Sequence, residues 1–92
     1  MKSFTSECFW KCYVALPQEI RQQARQAYAL FHKDPYYPAL HFKRVHSTRP
    51  VYSVRISRDY RAVGAVDGDE ITRFWIGSHA DYDSLLKRLR ST

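Results

Sequence analysis

The repeat of apolar positions along this chain changes near residue 40. Before it, Phe9, Cys12, Tyr13 and Leu16 recur at three- and four-residue intervals, and Ile20, Ala24, Ala27 and Phe31 continue that spacing. Such spacing gathers apolar side chains on one face of a helix. Thr5 or Ser6 followed by Glu7 supplies a hydroxyl cap and an acid in the first turn, so the first helix starts there. Pro17 ends it and opens a second helix, because proline fits a first turn, where its missing N–H is not needed. Arg21, Gln22, Arg25 and Gln26 fill the polar side of the second helix. It is predicted to stop near Lys33, before Asp34-Pro35. The two read as a helical hairpin.

After the proline-punctuated stretch DPYYPAL (34–40) the period becomes strand-like. Four segments make up this half of the chain, LHFKRVH (40–46), VYSVRIS (51–57), YRAVGAV (60–66) and EITRFWI (70–76). Their separators, STRP, RD and DGD, are turn chemistry, and Asp67-Gly68 is a strong hairpin signal. Links this short make neighbours antiparallel. Residues 2–4 leave room for a further short strand. A last helix is predicted from about His79 to Leu89. The expected fold is therefore α+β: an N-terminal helical hairpin packed on a twisted, mainly antiparallel four-stranded sheet, with a C-terminal helix. The helices are expected over one face of the sheet, leaving the other at least partly open.

Composition narrows this to one domain. A chain of 92 residues, 45% hydrophobic and 15% aromatic, has one modest core and is not a disordered composition. No apolar run reaches the ~20 residues of a membrane span. MKSFTSECFW lacks the apolar centre and cleavage site of a signal peptide, so a cytoplasmic location is expected. Cys8 and Cys12 are four apart with no second pair, which fits reduced packing residues rather than a metal site.

Charge changes the picture more. The formal net charge is +6, which favours an anionic partner. Between residues 43 and 61 stand Lys43, Arg44, Arg49, Arg55, Arg58 and Arg61, with His46 among them and Asp59 as the one acid. Tyr52, Val54 and Ile56 alternate with Ser53, Arg55 and Ser57, so Arg55 lies on the face of its strand opposite the apolar one. Arg61 joins Arg55 if the turn has three residues or a bulge, and faces the other way if it has two. At the C-terminal end, Ser78 and Asp81 have the spacing of a capping pair, which makes His79 the first helical residue. Tyr82 continues into Leu85, Leu86 and Leu89 at helical spacing and is either core or functional. Trp75 fits a core aromatic.

Taken in order, these pieces resemble the RelE/ParE superfamily of bacterial toxins from type II toxin–antitoxin systems. The likeness runs nearly the full chain. It rests on the helical hairpin around Leu16-Pro17, the DP…P.L.FK passage from Asp34 to Lys43, YSVRISRDYR from Tyr52 to Arg61, the DGDEI hairpin, and the ending WIGSHADYDSLL. The superfamily includes mRNA endonucleases, gyrase poisons and members without demonstrated activity, and the fold does not choose among them.

The resemblance implies a metal-independent, ribosome-associated endonuclease in which the ribose 2′-OH attacks the adjacent phosphate. Such a site needs phosphate-binding cations and a proton-transfer group and no cofactor. By resemblance Arg61, His79 and Tyr82 are the catalytic candidates. Lys43, Arg44, Arg55, Arg58 and Arg73 are the candidate RNA contacts. The implied partners are a cognate antitoxin, whose acidic segment would cover the basic face, and mRNA with the ribosome. The alternatives are a ParE-type inhibitor of DNA gyrase that hydrolyses nothing, or a non-catalytic relative that binds nucleic acid or a partner. The chain also departs from the pattern. Ser53 stands where many members are basic, the 57–59 turn is longer than usual, and no carboxylate lies between Asp34 and Asp59 to serve as base. His41 and His46 are the available substitutes.

Overall fold

The computed structural model of the protein describes residues 1–90. Its elements are β1 (Lys2–Thr5), α1 (Glu7–Val14), α2 (Gln18–Lys33), a 3-10 turn (Pro38–Leu40), β2 (Lys43–Arg44), β3 (Val51–Ser57), β4 (Tyr60–Asp67), β5 (Glu70–Ser78) and α3 (His79–Arg90). Among the described residues no helix is long and apolar enough to cross a membrane.

Local chemistry places the helices where the apolar period predicts. Ser6 caps α1, its hydroxyl accepting from the Phe9 N–H at 3.3 Å. Pro17 precedes α2 with extended backbone, and Asp34 closes it. Ala24, Ala27 and Phe31 are the buried stripe of α2. They pack against one sheet face, in two clusters that include Phe9, Leu40, Ala62, Ile71 and Ile76. Fully burying an aliphatic or aromatic side chain of this size is worth about 1.5–3 kcal/mol.

The sheet differs from the expectation in three ways. It has five strands, ordered β1-β5-β4-β3-β2, and is mixed rather than four-stranded and antiparallel. The short N-terminal segment pairs parallel with β5, from Lys2 opposite Glu70 to Thr5 opposite Arg73. The connections match this direction: β1 and β5 each run directly into a helix at the same end of the sheet.

Second, the strand expected over 40–46 shrinks to Lys43 and Arg44. Leu40 belongs to the 3-10 turn and is buried, and His41 takes a left-handed conformation at φ 45° that interrupts extended backbone. Past Arg44, the chain loops back under side-chain control. The Arg44 Nε–H donates to the carbonyls of His46 and Arg49, at 2.9 and 3.2 Å.

Third, α3 does not join the other helices over one face. It lies across the opposite face, with Tyr82 packed among Val51 and Val63 and flanked by Val45, Phe74, Trp75, Leu85, Leu86 and Leu89. His46 fastens its far end. Nδ1 accepts from the backbone N–H groups of Thr48 and Arg49, at 3.1 and 2.9 Å, and the Nε2–H donates to the Leu89 carbonyl at 3.1 Å. The DGD hairpin forms as expected, with Asp67 opposite Glu70 and Gly68 at φ 59° supplying the positive φ such a turn needs.

Candidate nucleic-acid interface

The turn after β3 decides where the arginines go. Ser57 pairs with Tyr60, which leaves a two-residue turn, Arg58-Asp59. Between Ser57 and Arg55 the register slips, with Ile56 as the extra residue. This bulge brings Arg55 directly opposite Arg61, and Arg61 is in turn opposite Gly77 on β5. Residues opposite one another share a face. The row Arg55–Arg61–Gly77 therefore lies on the α3 side of the sheet. Lys43, opposite Ser53 on the edge strand, is in the adjacent row of that face with Val63 and Trp75.

Arg55 and Arg61 are both half-buried, and no carboxylate lies within ion-pair distance of either among the described residues. Like charges directly opposite each other cost stability. Arg61 offsets part of this cost locally. Its Nη1 donates to the carbonyls of Ser57 at 2.7 Å, Tyr60 at 2.9 Å and Arg58 at 3.2 Å, so the guanidinium ties the turn together. Its partners are carbonyl oxygens, not Asp59 or Asp67. At Gly77 the row is covered, and the residue is a glycine for a steric reason. A Cβ there would stand 2.7 Å from the Trp75 indole, which lies over the glycine.

The junction of β5 and α3 meets the same end of the sheet. The His79 N–H donates to the Asp59 carbonyl at 2.7 Å, which pins the start of α3 to the turn that Arg61 holds. The Ser78 hydroxyl accepts from the Asp81 N–H at 3.2 Å, so Ser78 caps the helix. The imidazole of His79 is 49% exposed, and its Nδ1 faces an Asp83 carboxylate oxygen at 3.4 Å. The two side chains are one helical turn apart, so the carboxylate stands beside the imidazole. The Tyr82 ring is buried, 5.8 Å centroid to centroid from His79 and 6.4 Å from Trp75.

Of the candidates from sequence, Arg55, Arg61, His79 and Tyr82 thus gather at one end of the α3-side face. Lys43 shares that face, and Arg58 is exposed in the adjoining turn. Two do not join them. Arg44 sits opposite Tyr52, out of the row, and staples its own loop. Arg73 lies on the other face, its guanidinium 4.9 Å from the Phe9 ring centroid and 4.3 Å from that of Tyr28. A cleft beside the junction adds residues that sequence reasoning did not single out, Tyr60, Ser84 and Arg88. The helical spacing of Asp81, Ser84 and Arg88 was the signal that could have found them. Among the described residues no cluster of histidine, cysteine or acidic side chains is arranged to hold a metal ion.

Comparison with known proteins places this geometry in a family. The model of the ParE-like toxin domain matches residues 18–84. The chain is similar in structure to the crystal structure of the RelB–RelE antitoxin–toxin complex from Methanococcus jannaschii, with a TM-score of 0.73 at 17% identity, covering 89% of this chain and 96% of that one. It is likewise similar to YafQ from E. coli strain BL21(DE3), with a TM-score of 0.68 at 14% identity over 88% and 96% of the two chains. The RelBE2 toxin–antitoxin complex of Mycobacterium tuberculosis gives 0.68 at 13% identity over 85% and 96%. A search of curated protein sequences finds no match. With most of its length, including the bulged β3–β4 hairpin and the β5–α3 junction, matched by the family model, the chain belongs to the ParE-like toxin domain family, within the RelE/ParE class of toxins.

Proposed function

We propose that this toxin binds RNA across the α3-side sheet face and cleaves mRNA on the ribosome. The observation that carries the reading is the pair Arg55 and Arg61, directly opposed on one face with no carboxylate between them. A phosphate removes the cost of that arrangement, and the arginine fork suits its oxygens. Lys43 and Arg58 extend the positive surface along the RNA backbone.

Cleavage then proceeds from the substrate's own nucleophile. The Nε2 of His79 takes the proton of the ribose 2′-OH. The 2′ oxygen bonds to the adjacent phosphorus, the bond to the 5′ oxygen breaks, and that oxygen leaves with a proton from solvent. Arg55 and Arg61 stabilise the charge that builds on the phosphate oxygens. Asp83 stands beside the imidazole, and Tyr82, buried beneath, fixes the ring's position. No metal enters this scheme. The structural relatives in complex with RelB support a cognate antitoxin as the protein partner, one whose acidic segment covers the same basic face.

Primer extension on mRNA from a translating extract tests this. Cuts are expected with the native chain and absent with His79→Ala and with Arg55→Gln. Full cleavage by both variants would sink the assignment. The match to a family described as ParE-like keeps one other reading open, inhibition of DNA gyrase without hydrolysis. That reading predicts intact mRNA and loss of gyrase supercoiling activity when the purified chain is added.

A further inference from the structure

On the opposite side of the sheet, α1 and α2 border a half-open cavity of about 390 Å³. Phe9, Tyr13, Phe31, Ile71 and Ile76 are among the residues that line it, and the lining is almost wholly apolar. Arg73 enters this wall from β5. Its guanidinium is held against the rings of Phe9 and Tyr28, and its Nε is buried with no hydrogen-bond partner. Burial pushes the pKa of this arginine below its ordinary value, with Tyr28 opposing the shift.

Two costs therefore meet in one place. Apolar walls that face only water in a half-open pocket forgo the dispersion contacts and the hydrophobic burial that an apolar occupant would supply. A buried N–H without an acceptor is a second loss. Water remedies neither, because an ordered water needs two to four polar partners and this lining offers few. An extended peptide brings backbone polar groups that the same lining cannot satisfy, and a helix, about 10 Å across with its side chains, is too wide for a space of this volume. An occupant with an apolar body and an anionic head removes both costs, and the space falls within the range of about 300–1,000 Å³ typical of small-molecule sites.

We propose that this cavity binds a small carboxylic acid with an apolar body, its carboxylate on Arg73 and its hydrocarbon part among Phe9, Phe31, Ile71 and Ile76. The site lies on the other face from the basic row and does not depend on the RNA reading. Octanoate is a suitable probe, with octanol and octylammonium as controls, titrated into the purified chain by calorimetry and by NMR of the isoleucine methyl groups. Saturable one-to-one binding of octanoate is expected, about tenfold tighter than octanol, with shifts at Ile71 and Ile76. Arg73→Met should bring octanoate to the affinity of octanol, and Ala27→Leu, which narrows the cavity, should weaken both. Three results overturn the proposal: no saturation by octanoate, equal affinity for octanoate and octanol in the native chain, or binding indifferent to Ala27→Leu. If Arg73→Met does not fold, the comparison of the three probes on the native chain decides.

Discussion

Replacing Arg55 by glutamine should make the protein more stable and a poorer RNA binder. The two guanidinium groups project from directly opposed positions on one sheet face. Two unit charges about 7 Å apart, the scale of cross-strand neighbours, repel by about 0.6 kcal/mol in a solvent-like dielectric. That lies within the ~0.2–1 kcal/mol range of cross-strand pairs. Glutamine keeps much of the stem and removes the charge. For a domain of this size a gain of about 0.6 kcal/mol raises Tm by roughly 2–5 °C. The assay is thermal unfolding of both proteins at low and at high salt. The gain should be present at low salt and should shrink at high salt, because screening removes the repulsion it relieves. RNA affinity should move the other way, and the slope of its logarithm against the logarithm of salt concentration should fall by about 0.7, the loss of one phosphate contact on a single strand. A variant less stable than the native chain at low salt would refute the electrostatic argument. An unchanged RNA salt slope would refute the placement of RNA on this face.

The remaining expectations test how the site is held. His46→Ala removes the acceptor for two backbone N–H groups and the donor to Leu89, so it should cost about 1–2 kcal/mol in urea unfolding and speed hydrogen exchange in the last turn of α3. Ser78→Ala removes the cap of α3 and should cost about 1 kcal/mol, read from the same unfolding curves. Gly77→Ala forces a methyl group into the Trp75 indole, which should cost about 1–3 kcal/mol and shift tryptophan fluorescence; an unperturbed spectrum would count against the packing described.

Much of this architecture is written in local patterns. The helical stripe of Ala24, Ala27 and Phe31, the cap at Ser6, the Asp67-Gly68 turn and the alternation in 51–57 each declare their element within a few residues. What could not be read depends on partners distant in sequence. The parallel pairing of residues 2–5 with β5 is a long-range choice that four residues of any pattern do not encode. The truncation of β2 depends on Leu40 finding the core, which His41 permits by turning left-handed. The side of the sheet taken by α3 is set by Tyr82 meeting Val51 and Val63. For the candidate site the alternation placed Arg55 correctly, but the bulge at Ile56 was needed to set Arg61 beside it. Arg73 shows the opposite failure. Its charge suggested a surface contact, whereas its neighbours on the α1–α2 side make it a half-buried cation against aromatic rings.

The parallel edge formed by β1 also orders events during synthesis. β1 is made before every other element of the domain, yet Glu70, the partner of Lys2, emerges only after α1, α2 and three other strands. Until β5 exists, β1 has no edge to join, and the backbone N–H groups that pair with it stay in water. The antiparallel β3–β4–β5 meander, joined by two-residue turns, closes short loops and can assemble first. The N-terminal strand and the hairpin it leads into then dock on a sheet already formed. The helical border of the apolar cavity is thus the last part of the molecule to close, while the basic row opposite it belongs to the part that closes first.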